Sequence, residues 1–399
     1  MNIYIASSLT IDYFSYLSKN LRSVGYSVTE VFLITESSYR YLSRKSSIHK
    51  IWLRVQMYLL YPLRLIYVAL KAPINSTFIV TSNTFYAPLL LFLFTWFKKH
   101  IIIHLLYDLF PDALEISGFL KVNSFQSQLI GFVSRLNFTS SSATVYLGRY
   151  LKKHAEQRWG RSALSSVIDI STDTSLYCSQ LKPYQADDLV TFHYGGQLGH
   201  LHDADSLIRS IRYIYNTHLS EHVRFVFNVS GAQAIHLQNS LVGLPVEVSP
   251  TVSSDQWRDD IRNFHVGLVS LSPGGASACL PSKTYAMMAG GLAVIGICPC
   301  WSDLARLINS IDAGWVVNNS AFSSEPDLSS PEYFNQLREH RSYDQIVYDF
   351  FEIINSIVTE YELLKSKRKN AFDGIRSHYN LDNTSRKWDS LINSVCKSR

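Results

Sequence analysis

Apolar positions in the first half of the chain alternate between two periods. Short runs at Ile3–Ala6, Val28–Leu33, Thr77–Thr81, Ile101–Leu106 and Ala143–Leu147 read as strands, with helical stretches between them. The first of those stretches, Asp12–Val24, puts Phe14, Leu17, Leu21 and Val24 on one face and stops at Gly25. Strand–helix alternation of this kind implies right-handed crossovers and a mostly parallel sheet with helices on both faces. The segment from Asp169 to Asp188 is polar, contains Pro183 and lacks periodicity, which makes it the linker candidate. After it the pattern restarts. Strands are predicted at Leu189–Tyr194, Val223–Val229, Pro245–Val248, Val266–Leu271, Ala293–Ile297 and Trp315–Val317, with a helix over Asp203–Asn216. Beyond Ser330 the pattern is helical, and no repeat or low-complexity tract is visible.

The expected organisation is therefore a first doubly wound α/β domain over 1–168, a linker over 169–188, and a second such domain over 189–330. Helices over 331–399 would pack across both domains. A chain of 399 residues suits two domains of ordinary size. Apolar residues make up 47% and charged residues 17%, so a large core is available and wholesale disorder is excluded. Two doubly wound domains facing each other would bind ligands in a central cleft, at the carboxyl ends of their strands.

Charge changes the picture at one place. Between Ser37 and Tyr107 there are nine Lys or Arg and no Asp or Glu, while the whole chain carries only +5. Within that segment Arg40, Arg44, Lys45, Lys50, Arg54 and Arg64 are interleaved with Tyr41, Trp52, Tyr58, Tyr61 and Tyr67. A nucleic-acid reader would spread its basic groups over a reading surface. Basic groups mixed with aromatic and aliphatic ones fit an anionic lipid surface better. The competing reading is a solvated helical face with an ordinary core side. Ala72–Phe97 is free of charge, but Pro73, Asn75, Thr77, Asn83 and Pro88 break it into strand, turn and short helix, which argues against a membrane span.

Five cysteines are too few and too scattered for a disulfide framework, and Cys298 and Cys300 have no partners to complete a zinc site. No metal and no cofactor are expected. The N-terminus runs directly into a strand without a secretory pattern, so a reducing cytoplasmic compartment is expected.

The segment with most chemistry in it is Ser270–Ile297, SLSPGGASACLPSKTYAMMAGGLAVIGI. A strand runs out into Gly274–Gly275, Pro281 and Ser282 open a helix with Ser282 in a capping position, and Gly290–Gly291 close it. Lys283 in the first turn opposes the helix dipole, which makes sense if an anion such as a diphosphate lies against it. The bland reading is a solvent-facing lysine. His193–Gly199, HYGGQLG, is a second strand with a glycine turn, followed by His200 and His202.

The run Pro281–Lys283, then a helix, then Ala289–Gly291 before an apolar strand resembles the donor-binding element of family 4 glycosyltransferases. It is similar in particular to the branch that assembles bacterial surface polysaccharides. His193–Gly199 is similar to the strand and glycine turn opening that family's donor domain, and Ser166–Tyr177 to the segment joining its domains. Leu106–Gly118, LYDLFPDALEISG, resembles its D-L-W-P-E stretch, with Phe110 in place of Trp. These four stretches come in the family's order and span Leu106 to Ile297.

The resemblance implies the GT-B fold of two Rossmann-like domains. It also implies metal-independent transfer of a sugar from a nucleotide-diphosphate donor, a UDP-sugar, with retention at the anomeric carbon. A diphosphate gains charge as it leaves, so fixed donors aimed at it stabilise the transition state. The candidates are Gly195, Gly196, Gln197, Gly199, His202, Gly274, Gly275, Ser282, Lys283 and Thr284, with Lys283 and Asp108 as catalytic residues. Asp108, just after the Ile101–Leu106 strand, would orient the acceptor hydroxyl or stabilise positive charge on the sugar. It also reads as a turn aspartate before Pro111. In the first loop, Ser7, Ser8 and Thr10 stand where relatives carry glycines, and Thr10 alternatively caps the helix at Asp12. The chain departs from the family at Cys279 and Ala286, where many members carry glutamates, the second of which holds the donor ribose.

The leading expectation is thus a cytoplasmic transferase peripherally bound to the inner face of the membrane. It would extend a lipid-linked oligosaccharide and bind no nucleic acid. Arg40, Arg44, Lys45, Lys50, Trp52, Arg54 and Arg64 would form its membrane and acceptor surface. A catalytically silent binding partner in a polysaccharide complex is the alternative that Cys279 and Ala286 motivate. A nucleotide-sugar epimerase is the third reading.

Overall fold

The computed structural model describes residues 1–43, 47–183, 185 and 189–397. The chain divides into two compact units, Met1–Ser171 with Leu381–Arg399, and Thr172–Asn380.

The first unit is built on strands β1 (Asn2–Leu9), β2 (Ser27–Ile34), β3 (Thr77–Thr81), β4 (Ile101–Leu106), β5 (Ala143–Tyr146) and β6 (Leu164–Val167). They form one parallel sheet in the order β2-β1-β3-β4-β5-β6. The sixth strand escapes the sequence pattern because LSSV is only half buried at the sheet edge and carries two serines. By contrast β3, β4 and β5 are buried throughout, as strands covered on both faces must be. On one face Tyr61, Leu65 and Ala69 of the helix Tyr61–Lys71 and Leu91 of the helix Ala87–Thr95 pack over Ala6, Phe78, Val80 and Ile102. Elsewhere in the unit the helix Asp12–Ser23 buries Phe14, Leu17 and Leu21, whereas Val24 lies past its end and is exposed. It packs against the last helix, Leu381–Lys397, where the Trp388 indole donates to the Tyr13 hydroxyl at 3.3 Å. Thr10 does not cap this first helix; Ile11 holds that position without a side-chain bond.

The second unit carries β7 (Val190–Gln197), β8 (Val223–Ser230), β9 (Glu247–Ser249), β10 (Val266–Ser270), β11 (Ala293–Ile297) and β12 (Gly314–Val317). Their order is β12-β11-β10-β7-β8-β9, again all parallel. The chain order reverses between β7 and β10, which is the topological switch point where open α/β sheets bind ligands. Phe192, Tyr194, Phe225, Phe227 and Leu268 form the centre of its core. The helix Ala204–Ile214 packs against Tyr343–Thr359, and the helix Lys283–Ala289 against Tyr361–His378, so these two late helices belong to this unit. Arg368 is buried there and donates to the Gly291 carbonyl at 3.0 Å.

Among the described residues no helix is long and apolar enough to cross a membrane, and no group of three or more His, Cys, Asp or Glu is placed to hold a metal ion.

Candidate functional site

In the second unit, the loops after β7 and β10 both lie at the carboxyl edge of the switch point. The β7 loop is shaped by hydrogen bonds to its own backbone. Leu198 N–H donates to the Ser230 carbonyl at 2.7 Å, and the Gln233 amide donates to the Gly199 and His202 carbonyls at 2.6 and 2.9 Å. Gly196 has φ +103°, a left-handed conformation that side chains resist, and its Cα faces the Lys283 stem. Gly199 N–H donates to Nδ1 of His202 at 3.1 Å. Burial holds the His202 ring neutral, down to about 3, and the Lys283 amine adds to this. With Nδ1 accepting, the ring hydrogen belongs on Nε2, which leaves His202 as a hydrogen-bond donor.

The β10 loop folds against the same segment. Ser272 N–H donates to the Leu201 carbonyl at 2.9 Å, and a Cβ on Gly275 would stand 2.2 Å from that oxygen. Gly275 is therefore required by this close approach of backbone to backbone. Gly274 lies in ordinary right-handed space.

Lys283 is the centre of this cluster. Its Nζ is buried, hydrogen-bonds to nothing among the described residues, and lies 3.4 Å from the centre of the Tyr194 ring. Burial drives the amine well below the usual lysine range, with Cys279 nearby acting in the opposite sense. The ring face offsets part of the desolvation of the charged form. Held out of water with no counter-charge, the amine keeps its hydrogen-bonding capacity unused among the described residues. The solvent-facing alternative for Lys283 is therefore excluded.

Ser282 does not act as expected. It has helical dihedrals, makes no cap hydrogen bond and is exposed, because the preceding Pro281 carbonyl already receives the Thr284 N–H at 3.2 Å. That same bond occupies the Thr284 N–H, although its buried hydroxyl is unpaired among the described residues. Gln197 is exposed, with its Oε1 beside Gly231. Gly195 lies against the Trp257 indole, which donates to Nε2 of His193 at 2.8 Å while His193 Nδ1 donates to the Val226 carbonyl at 3.1 Å. His193 is thus a satisfied, neutral core histidine.

Sequence reasoning missed the support behind this loop. Asp203 caps the helix Ala204–Ile214 through Ser206 N–H at 3.0 Å, and its other oxygen receives Asn319 at 2.7 Å and His340 Nε2 at 2.9 Å. His340 Nδ1 meets the Arg341 carbonyl at 2.6 Å. Both ring nitrogens face acceptors, which favours the protonated ring, and its pKa is raised, its carboxylate partner outweighing burial. Asp203 is lowered in turn by His340 and Asn319 despite burial. The only sequence signal was the Asp203 cap; His340 lies 137 residues away.

In the first unit, Asp108 follows β4 and is part-buried. Burial pushes its carboxyl up to about 6. Its backbone N–H and that of Tyr107 both donate to Ser82 Oγ, at 3.0 and 2.8 Å. Tyr39 and Tyr58 lie close enough for the Asp108 charge to act on both. Four residues on, Asp112 has a different role. It is fully buried, receiving His154 at 2.7 Å, Arg158 at 2.6 Å and the Trp159 indole at 2.7 Å, while Arg158 also pairs with Glu115 at 2.7 Å. These partners hold Asp112 down to about 2 against the opposing effect of burial. The D-L-F-P-D stretch thus splits into one available carboxyl, Asp108, and one structural carboxylate, Asp112.

Of the basic surface residues, Lys50, Trp52 and Arg54 lie on the helix Ser47–Val55 and Arg64 on Tyr61–Lys71. Arg44, Lys45 and the Arg40 side chain lie outside the described residues. Ser7 and Ser8 are buried at the end of β1.

Two parallel α/β units with these strand orders are those of the GT-B fold. The sucrose-phosphate synthase of Thermosynechococcus elongatus superposes with a TM-score of 0.69 at 11% identity, covering 100% of both chains. Anabaena Alr3699/HepE, solved in complex with UDP, gives 0.62 at 12% identity over 98% of this chain and 99% of that one. A protein of Listeria monocytogenes described as a UDP-N-acetylglucosamine 2-epimerase gives 0.53 at 9% identity over 100% and 97%. No protein-family model matches this chain, and no curated protein matches it in sequence.

Proposed function

We propose that this protein is a retaining glycosyltransferase that moves a sugar from a UDP-sugar to a lipid-linked oligosaccharide in surface-polysaccharide assembly. The observation that carries the reading is the buried, unpaired Lys283 amine on the Tyr194 ring, beside the His202 donor at the switch point of the second unit. The UDP bound by HepE supports the nucleotide. In this reading Lys283, His202 Nε2 and the 195–199 turn hold the diphosphate, and no metal is needed because the lysine supplies the positive charge. The bond from the anomeric carbon to the diphosphate oxygen breaks as the bond to the acceptor oxygen forms. The acceptor proton passes to the departing phosphate oxygen, and Asp108 in the first unit orients the acceptor hydroxyl. Lipid-linked acceptors place the enzyme at the cytoplasmic face of the membrane, on its acid-free segment.

The test is transfer from radiolabelled UDP-sugars to a lipid-linked oligosaccharide extract, with Lys283→Ala beside the wild type. Loss of product in the variant, with its fold intact, supports the reading; undiminished transfer overturns it. A second reading, a silent binding protein, is favoured by Cys279 and Ala286. Calorimetry with UDP- and GDP-sugars separates the two, since the silent protein binds none. Isomerised donor without acceptor would instead identify an epimerase.

A further inference from the structure

Residues 47–71 run as α-helix, one π turn at Gln56–Leu60, and α-helix again, with helical dihedrals at both junctions. One face of this run is buried, Tyr61, Leu65 and Ala69 packing on the sheet and Leu53 being buried as well. The opposite face is not polar. Ile48, Ile51, Leu59, Leu63, Tyr67 and Leu70 are all exposed, at steps of three, four or eight residues that place them along one stripe. Trp52 is exposed beside them, and Leu63 and Tyr67 each expose 57%. Lys50, Arg54, Arg64 and Lys71 are interspersed, with the Lys71 amine 4.6 Å from the centre of the Tyr67 ring.

A second apolar surface adjoins the end of this stripe. The helix Ala87–Thr95 packs on Tyr61–Lys71 and buries Ala87, Pro88, Leu91 and Thr95, yet Leu93 and Phe94 point outward. The turn Trp96–Lys98 follows, with Trp96 69% exposed and Phe97 open too. Lys98 Nζ donates to the Ala72 carbonyl at 2.8 Å and Asn75 N–H to the Lys98 carbonyl at 3.1 Å, which fastens this turn to the end of the long helix beside Leu70 and Ile74. Exposed apolar side chains scattered singly are ordinary, but a contiguous stripe of this extent marks an interaction surface.

We propose that this face lies in the interfacial plane of an anionic bilayer, with the apolar stripe and the Leu93–Phe97 turn entering the acyl region. Charge selects the occupant. No carboxylate occurs from Ser37 to Tyr107, and the cations lie beside the apolar residues, where lipid phosphates would meet them. Protein interfaces are instead depleted in lysine. The stripe spans about 33 Å at 1.5 Å per residue, a length a flat surface accepts without limit. Aromatic rings next to lysines are the composition of a membrane–water interface. The proposal rests on the membrane-associated reading above and sharpens it: binding comes from inserted apolar side chains as well as from charge.

Flotation with phosphatidylcholine vesicles, with and without about a third phosphatidylglycerol, tests this at low salt and at about 0.5 M salt. The wild type is expected on the anionic vesicles, with a substantial fraction retained at high salt. A variant carrying Leu63→Ser, Tyr67→Ser, Phe94→Ser and Trp96→Ser should lose binding at least tenfold while circular dichroism stays unchanged. Vesicles of brominated lipid should quench tryptophan fluorescence in the wild type and much less in Trp52→Phe/Trp96→Phe. Complete release by salt, equal binding by the serine variant, or a dimer through this face that ignores vesicles would each overturn the proposal. UDP binding is followed in parallel, so failure of the donor site is told apart from failure of the membrane face.

Discussion

The Tyr86 hydroxyl donates to the Tyr58 carbonyl, the carbonyl that Pro62 leaves without a helical donor. The wiring around it has a simple origin. Proline has no N–H to give four residues back, and Tyr61 N–H reaches Gln56, five residues back, instead of Met57. Two carbonyls are orphaned, and the loop after β3 satisfies both: Tyr86 takes Tyr58, and Thr84 Oγ1 takes Met57 at 2.8 Å. Ser82 in the same loop holds the Asp108 backbone. One loop thus touches both the π turn and the backbone that carries Asp108.

Thr84 is fully buried, so Thr84→Val should leave the Met57 carbonyl unpaired and cost about 1–3 kcal/mol. Tyr86→Phe should cost less, because the Tyr58 carbonyl is near solvent. Denaturant unfolding of the two variants checks the ranking.

Asp108→Asn should cut transfer strongly at saturating donor while leaving UDP affinity unchanged. If the carboxylate is the working form, wild-type turnover falls as pH drops through about 6, where burial has placed its titration. The pH profile of kcat, compared between the two proteins, checks this.

Because burial lowers Lys283, arrival of a diphosphate should restore its charge by taking up a proton. UDP affinity should therefore rise as pH falls. Titration calorimetry in buffers of different ionisation enthalpy measures the uptake, and Lys283→Met should abolish it together with most of the binding.

The Asp203–His340 pair should make stability depend on pH at both ends. His340 is raised above 6.5, so its contribution is complete below that value and is lost as pH climbs through its folded pKa. Asp203 is lowered below 3.8, so its contribution is present above 3.8 and is lost as pH falls through its folded value. Thermal midpoints should decline on the alkaline side in the wild type and vary less in His340→Gln.

Arg158→Met should destabilise the first unit by about 1–3 kcal/mol, since it takes the guanidinium from two buried carboxylates, leaving Asp112 with His154 and Trp159 and Glu115 with the Asn123 N–H and the Ser127 hydroxyl. Asp112 titrates at about 2 in the folded protein, so the stability it gives holds above 3.8 and disappears only as pH approaches 2. Urea unfolding at neutral and acid pH measures both.

Among the described residues eleven of the twelve strands were legible, the central ones because a strand covered on both faces must be apolar, the others as short apolar runs between turns. The twelfth, β6, is an edge strand whose serines need no burial. Lys283 was visible as a cation misplaced against a helix dipole. Its partner ring, Tyr194, lies 89 residues earlier and came from no local rule. Ser282 was misjudged because capping depends on dihedrals that composition does not fix; here a helical turn already begins at Pro281.

By itself the sequence determined the elements, their doubly wound class and the acid-free segment, since these follow from local period and composition. Tertiary structure decided the strand orders, the stacking of Lys283 on Tyr194, the double pairing of His340 and the separation of Asp108 from Asp112. Each depends on which distant groups are brought together out of water, and there the balance of desolvation against a partner, rather than residue type, sets what a side chain can do.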